Sequence, residues 1–178
     1  MRFSLVDFKK VSAEDFFNLI EKNRTDLIDH FPKTLSFCQS LEQTKDFIAY
    51  NLEEMEEQKS IPFCIINMDS NELIGYIKIL NIDADIPKCE LAYFTDTDYQ
   101  GKGIMSTALS KIIRFSFEKL NMNKIYARTA KDNLPSQKTI LKNGFVQEGI
   151  LRSDFKDING HLHDCLYFGL LKIDWEQN

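Results

Sequence analysis

Residues 88–129 constrain the fold most. KCELAYFT (88–95) reads as a strand, and the next segment, YQGKGIMSTALSKIIRFSF (99–117), sets two of the chain's seven glycines around a lysine. An apolar series begins at once: Met105, Ala108, Leu109, Ile112, Ile113, Phe117 and Leu120 recur at helical spacing. KIYART (124–129) is again a strand. Glycine is conformationally costly, so a pair at a helix entrance marks backbone that bends unusually or approaches something closely. A helix entrance also offers unpaired N–H groups at the positive end of the helix dipole. The segment therefore encodes strand, anion-binding turn, amphipathic helix and strand, with phosphate the commonest anion at such a turn.

The rest of the chain alternates between strand and helix signals. FSLVDF (3–8) is a first strand. SAED (12–15) and SLEQ (40–43) are capping patterns; the first opens a helix carrying Phe16, Phe17, Leu19 and Ile20, the second a helix to about residue 59. Between them a helical piece near Leu27 and Ile28 extends to Phe31 and is expected to stop at Pro32. The acids of NLEEMEEQK (51–59) are expected to form a solvated face opposite Phe47, Ile48, Leu52 and Met55. PFCIINM (62–68) and LIGYIKIL (73–80) flank DSNE as a hairpin. SQKTILKN (136–143) is a short helix stopped by Gly144. FVQEGILR (145–152) and HLHDCLYFGLL (161–171) flank a turn marked by Asn159-Gly160. The order β-α-α-β-β-β-α-β-α-β-β predicts an α/β (α+β) fold, a mixed and mostly antiparallel sheet flanked by helices, with one parallel neighbour pair around the glycine helix. No linker, repeat or low-complexity tract interrupts residues 1–178, which are expected to form a single domain.

Hydrophobic residues make up 43% of the chain, with 14 phenylalanines, enough for a sizeable core. The formal charge of −5 argues against a general binder of nucleic acid or anionic membrane. MRFSLVDFKK lacks the apolar core of a signal peptide, and no apolar run reaches membrane-spanning length. Neither a direct nucleic-acid partner nor a membrane is expected. Cys38, Cys64, Cys89 and Cys165 lie far apart and read as free thiols of a reducing compartment, which makes the cytoplasm the expected location. His161 and His163 share one strand face without an identifiable third ligand, so no metal is expected.

Three phosphate-binding patterns compete for the glycines. A Walker A loop requires a terminal G-K-[ST], which is missing; a dinucleotide fingerprint requires a third glycine where Ser106 stands, in a first βαβ unit. The third pattern fits. The stretch resembles the Q/R-x-x-G-x-G/A pyrophosphate loop of the Gcn5-related N-acetyltransferase (GNAT) superfamily, with Gln100, Gly103 and Met105 at its defining places and Met105 departing from the usual small residue. NLPSQKTILKNGF (133–145) resembles the superfamily's second signature, an N-x-x-S/A start followed by a helix and a closing G-F. This segment, together with INGHLHDCLYFGLL (158–171), is similar to the RimJ/RimL-like branch, whose members acetylate N-terminal amines of ribosomal proteins alongside relatives with other substrates.

The resemblance implies a GNAT fold and acetyl-CoA as cosubstrate, with no metal. It places the diphosphate on the backbone of Gly101, Lys102, Gly103, Ile104, Met105 and Ser106, with the Ser106 hydroxyl and the Lys102 charge beside it and Gln100 opening the loop. No Asp or Glu occurs over residues 99–117 to repel that anion. The thioester oxyanion is implied to meet a backbone N–H of residues 93–95, with Phe94 foremost and Tyr93 and Thr95 beside it. The amine must lose a proton, and Glu90, on one strand face with Ala92 and Phe94, is a base reached through water or else half of a structural ion pair; Asp154 is a second carboxylate. The tyrosine that many relatives use toward the leaving thiolate is replaced by Ile140, which leaves Ser136 for that role. Asn133 is expected to bond the cosubstrate, cap its helix, or do both.

The N-terminal helical half is implied to roof the acceptor, with DHFPKTLSF (29–37), including His30, as a lining segment. The leading expectation is direct acetyl transfer to a primary amine, preferably the N-terminal α-amine of a ribosomal-type protein. A small-molecule amine acetyltransferase and a non-catalytic acyl-CoA-binding module remain alternatives. The exposed strand edges of the last hairpin make a homodimer an open expectation.

Overall fold

The computed structural model describes residues 2–177. Its strands are β1 (Phe3–Asp7), β2 (Ile61–Asn67), β3 (Leu73–Asp83), β4 (Lys88–Thr95), β5 (Lys124–Ala130), β6 (Val146–Lys156) and β7 (Leu162–Leu171). They form one sheet in the order β1-β2-β3-β4-β5-β7-β6. The β1–β2, β5–β7 and β6–β7 pairs are antiparallel and β4–β5 is parallel, as the element order predicts. The helices are α1 (Ala13–Leu27), α2 (Pro32–Phe37), α3 (Leu41–Glu56), α4 (Ile104–Glu118), α5 (Leu134–Lys142) and α6 (Lys172–Glu176). The described residues gather into two compact units: the chain up to Lys78 with Tyr93–Ile104, and Ile79–Ala92 with the chain from Met105 onward.

In the first unit, capping side chains set the helix starts. Ser12 Oγ accepts the Asp15 N–H at 3.0 Å and donates to the Asp15 carboxylate at 2.7 Å, and Ser40 Oγ accepts the Gln43 N–H at 3.2 Å. Pro32, expected to end a helical piece, instead opens α2 at a position whose N–H has no intrahelical partner in any case. The core joins Phe8, Phe16, Leu19, Ile20, Tyr76 and Phe94. Phe16 meets Phe8 edge-on at 5.2 Å and Tyr76 at 5.3 Å, and stacks on Phe47 at 5.8 Å, geometries that add to simple burial. One acid departs from the expected solvated face of α3. Glu54 accepts from Lys78 Nζ at 2.8 Å, Tyr50 Oη at 2.8 Å and Ser60 Oγ at 3.0 Å. Burial works to raise its carboxyl, but the Lys78 and Tyr50 hydrogen bonds outweigh it and hold the group below its ordinary value.

In the second unit, α4 buries the stripe read from its periodicity, including Met105, Ala108, Leu109, Ile112, Ile113 and Phe117. Ile125, Ala127, Phe168 and Leu170, at alternate positions of β5 and β7, are buried as well. Phe117 also packs against Trp175 of α6 at 5.2 Å. β6 is an edge strand with two register irregularities against β7, a form that blunts an open edge.

Gly75 of β3 is needed for space. A Cβ there would lie 3.0 Å from the Phe94 carbonyl oxygen and 3.1 Å from Ile65 Cδ1. Gly75→Ala is expected to cost about 1–3 kcal/mol by forcing backbone apart, measured by denaturant unfolding; an unchanged midpoint would show that the two strands yield freely.

Candidate active site

The glycine loop begins in the first unit. After β4, Thr97–Tyr99 form one turn of 3-10 helix, capped by Asp96, whose side chain accepts the Asp98 N–H at 3.0 Å. Gln100 Nε2 reaches back to the Thr95 carbonyl at 3.3 Å, tying the start of the loop to the end of the strand. Gly101 and Gly103 both stand in the left-handed region, with φ of +71° and +74°. Nothing lies within 4 Å of a Cβ built at either position. Glycine is thus demanded here by conformation rather than crowding, and the open space leaves the loop backbone approachable. Gly101, Lys102 and Gly103 are exposed, whereas Ile104 and Met105 are buried. The Met105 departure therefore directs its bulk into the core, leaving a backbone N–H at that place as the superfamily pattern requires. Lys102 Nζ donates to the Asp98 carbonyl at 2.7 Å and lies 5.0 Å above the Tyr99 ring, so its charge stays beside the loop.

Phe94 is held firmly. Its ring packs against Phe31 at 5.3 Å and Tyr76 at 5.8 Å. Phe31 belongs to the segment expected to line the acceptor site. The parallel ladder of β4 with β5 has three rungs, Lys88–Lys124, Cys89–Ile125 and Glu90–Tyr126, and ends short of residues 93–95.

The second unit carries the carboxylates. Glu90, 5% exposed, accepts from Arg128 Nε at 2.9 Å, Arg128 Nη2 at 3.1 Å and Asn81 Nδ2 at 2.7 Å. The same guanidinium donates from Nη1 to Asp154 Oδ2 at 2.6 Å. The two carboxylates named from the sequence are thus brought together by a residue the sequence did not single out. Its signal lay in KIYART, where Lys124, Tyr126 and Arg128 alternate onto one face and the parallel register sets Tyr126 opposite Glu90. The ion-pair reading of Glu90 is realised. Tyr126 stacks on Tyr167 at 5.1 Å, and burial, reinforced by the Glu90 charge, pushes its hydroxyl up to about 12.

Asn133 caps α5, its Oδ1 accepting the Ser136 N–H at 3.1 Å. Gln137 Nε2 donates to the Lys131 and Ala130 carbonyls at 2.9 and 3.3 Å, anchoring that helix start to the end of β5. At the other end of α5, Asn143 Nδ2 donates to Ser106 Oγ at 3.2 Å and to the Thr139 carbonyl at 2.8 Å. The first turn of α4 and the last of α5 are thereby joined, a link the sequence motifs do not reveal. Ile140, in place of the usual tyrosine, is a core residue at 2% exposure. All four cysteines are free and buried, and burial pushes the Cys38 thiol to about 11 and the Cys89 thiol to about 12, which leaves them poor nucleophiles. His161 and His163 both meet Asp157 Oδ2, at 3.2 and 2.9 Å. No group of three or more potential metal ligands is assembled among the described residues. No helix among them is long and apolar enough to cross a membrane.

The model of the acetyltransferase (GNAT) domain matches residues 2–146, and the chain belongs to that family. Its class is the acetyl-CoA-dependent N-acetyltransferases. YdaF of Bacillus subtilis (strain 168), described as a candidate ribosomal N-acetyltransferase, is 36% identical over 58% of this chain and 56% of its own, so the chain spans little more than half of that relative. Spermidine N(1)-acetyltransferase of Vibrio cholerae is 28% identical over 73% of this chain and 83% of its own. The crystal structure of the ribosomal-protein-S5-alanine acetyltransferase from Vibrio fischeri superposes with a TM-score of 0.86 at 25% identity, covering 97% of this chain and 93% of that one. The RimJ/RimL-like resemblance and the fold it implied agree with these relatives.

Removing Arg128 would strand a buried carboxylate. Arg128→Met is expected to destabilise the protein by about 1–3 kcal/mol, because Glu90 loses two charged donors and keeps the neutral Asn81 amide. Asp154→Asn, at a partly exposed position, should cost less. Equal shifts of the two variants in denaturant unfolding would show that Glu90 does not depend on the guanidinium.

Proposed function

We propose that residues 1–178 act as one cytoplasmic domain that transfers the acetyl group of acetyl-CoA to the N-terminal α-amine of a protein, of the kind found on ribosomal proteins. The observation that carries the donor half is the exposed loop of residues 100–103, with two left-handed glycines, feeding the 15-residue helix α4 in a stretch free of acids. That arrangement suits a diphosphate, because backbone N–H groups and a helix N-terminus are anion donors. In this reading Gln100, Gly101, Lys102, Gly103, Ile104, Met105 and Ser106 take the diphosphate, and Asn133 and Ser136 take the pantetheine end. The acceptor half is supported by the relatives named for ribosomal proteins.

The reaction is a direct displacement. The neutral amine attacks the thioester carbonyl carbon, and the oxyanion that forms accepts from the Phe94 N–H, with Thr95 adjoining it. The carbon–sulfur bond breaks, and the departing thiolate is met by the Ser136 hydroxyl. The proton of the attacking nitrogen leaves through water, with Glu90 or Asp154, both hydrogen-bonded to Arg128, as the receiving carboxylate. The thioester is already activated, so neither a metal nor an acyl-enzyme is required. A polyamine or other small amine is the second reading, favoured by the spermidine-acetylating relative.

The deciding experiment is thiol release from acetyl-CoA with two acceptor sets: peptides with free N-termini plus extracted ribosomal proteins, and polyamines, amino acids and aminoglycosides. Release confined to the first set is expected; release confined to the second moves the assignment to small amines, and binding without release from either points to an acyl-CoA-binding module. Gly103→Val forces a β-branched residue to φ near +74°. It is expected to weaken acetyl-CoA binding about tenfold or more, and undiminished affinity in calorimetry would sink the donor assignment.

A further inference from the structure

The glycine loop is entered through a turn that a helix far away in sequence holds in place. Asn23, near the end of α1, is 2% exposed. Its Nδ2 donates to the Leu19 carbonyl at 2.9 Å, which orients the amide so that Oδ1 accepts the Thr97 N–H at 2.9 Å. That N–H opens the 3-10 turn. The neighbouring Lys22 reaches both carboxylates of the same turn, Asp96 Oδ2 at 2.8 Å and Asp98 Oδ2 at 2.7 Å. Asp96 is itself 2% exposed, and its carboxylate meets this partner and the Asp98 N–H. Tyr99 is fixed from another side, donating to Glu72 Oε2 at 3.1 Å and accepting from Asn67 Nδ2 at 3.3 Å. The cation of Lys22 lies 5.9 Å from its ring.

Two facts make this more than support for a turn. Gly101 and Gly103 follow directly, and glycines leave a loop free to swivel unless its entry is fixed. Asp96 and Asp98 also lie just before the loop and would oppose an approaching anion. Lys22 and Lys102 are the cations bonded to this turn, and Lys102 bonds the Asp98 carbonyl rather than a carboxylate. Lys22 meets both of these carboxylates directly, so it offsets part of their charge at the loop entrance.

We propose that Lys22 and Asn23 are positioning residues for the donor: together they lock the turn that presents the glycine loop, and Lys22 offsets part of the charge of Asp96 and Asp98 beside it, so that the diphosphate of acetyl-CoA binds. The proposal rests on the acetyl-CoA reading of the loop. It locates part of the donor's affinity on α1, in a helix that carries none of the recognised motifs.

The test compares two donors. Lys22→Met is expected to raise the Kd for acetyl-CoA about tenfold in calorimetry at low salt, as a direct charge contact at the loop entrance is lost. S-acetylpantetheine, a thioester without the diphosphate, should give the same KM with Lys22→Met as with the unaltered chain. Lys22→Arg, which can still bridge two carboxylates, should restore acetyl-CoA affinity, and Asn23→Ala should weaken it with the same selectivity between donors. An unaltered chain that binds no acetyl-CoA overturns the donor reading and this role with it. Normal binding by the unaltered chain and equal binding by Lys22→Met overturns the positioning role alone, as does an equal loss for both donors.

Discussion

The passage from β4 into α4 has to satisfy two opposed demands, and the architecture of the first unit is arranged around them. The backbone must turn through two left-handed residues and expose its N–H groups, which only a glycine-rich and intrinsically loose segment does. It must also be fixed, because a loop that reorders on binding loses affinity to the entropy of ordering. The fixing comes from polar contacts that converge on residues 95–99: the Asn23 amide, the Lys22 ammonium, the Asn67 and Glu72 side chains, and Gln100 folded back on Thr95. The two glycines supply the left-handed turn, and the residues just before them are tied down by these contacts.

The strand before this turn is treated in the same way. Phe94 is clamped by two aromatic rings, and its carbonyl faces the one position in β3 where the absence of a side chain allows the approach. In the proposed mechanism the Phe94 N–H is the oxyanion donor, which must not reorganise when charge develops, and the aromatic packing around Phe94 suits that role. In the second unit the requirement falls on electrostatics. A buried glutamate is tolerable because one guanidinium contacts both of its oxygens, and the third nitrogen of that guanidinium holds Asp154. Each carboxylate of the cluster thereby has a charged partner.

Membership in the GNAT family accounts for the motif order, and the departures from the pattern have local explanations. Met105 replaces a small residue without obstructing the loop, because its side chain is carried into the core by the helix that starts there. Ile140 replaces a tyrosine with a side chain suited to the same buried position, so the loss is chemical rather than structural. In the proposed mechanism the serine at the start of the same helix takes over the role toward the leaving thiolate.

The sequence by itself determined what depends on near neighbours: the amphipathic stripe of α4, the serine caps of α1 and α3, the asparagine cap of α5, the left-handed glycines and the parallel β4–β5 pair around α4. These features are encoded within a few residues, and periodicity or capping chemistry reveals them. Where the local signal was two-sided it misled. A proline can end one helix or begin the next, and Pro32 begins α2. Only the tertiary structure decided which side chains meet across the chain. Arg128 joins Glu90, 38 residues away, to Asp154, 26 residues away, and Lys22 reaches Asp96 over 74 residues. Glu54, expected in solvent, is drawn inward by Lys78. Such pairings depend on strand register and helix packing, which place two side chains within a hydrogen bond's length; the local sequence gives at most the face a residue lies on, as KIYART does for Arg128, and not the partner it meets.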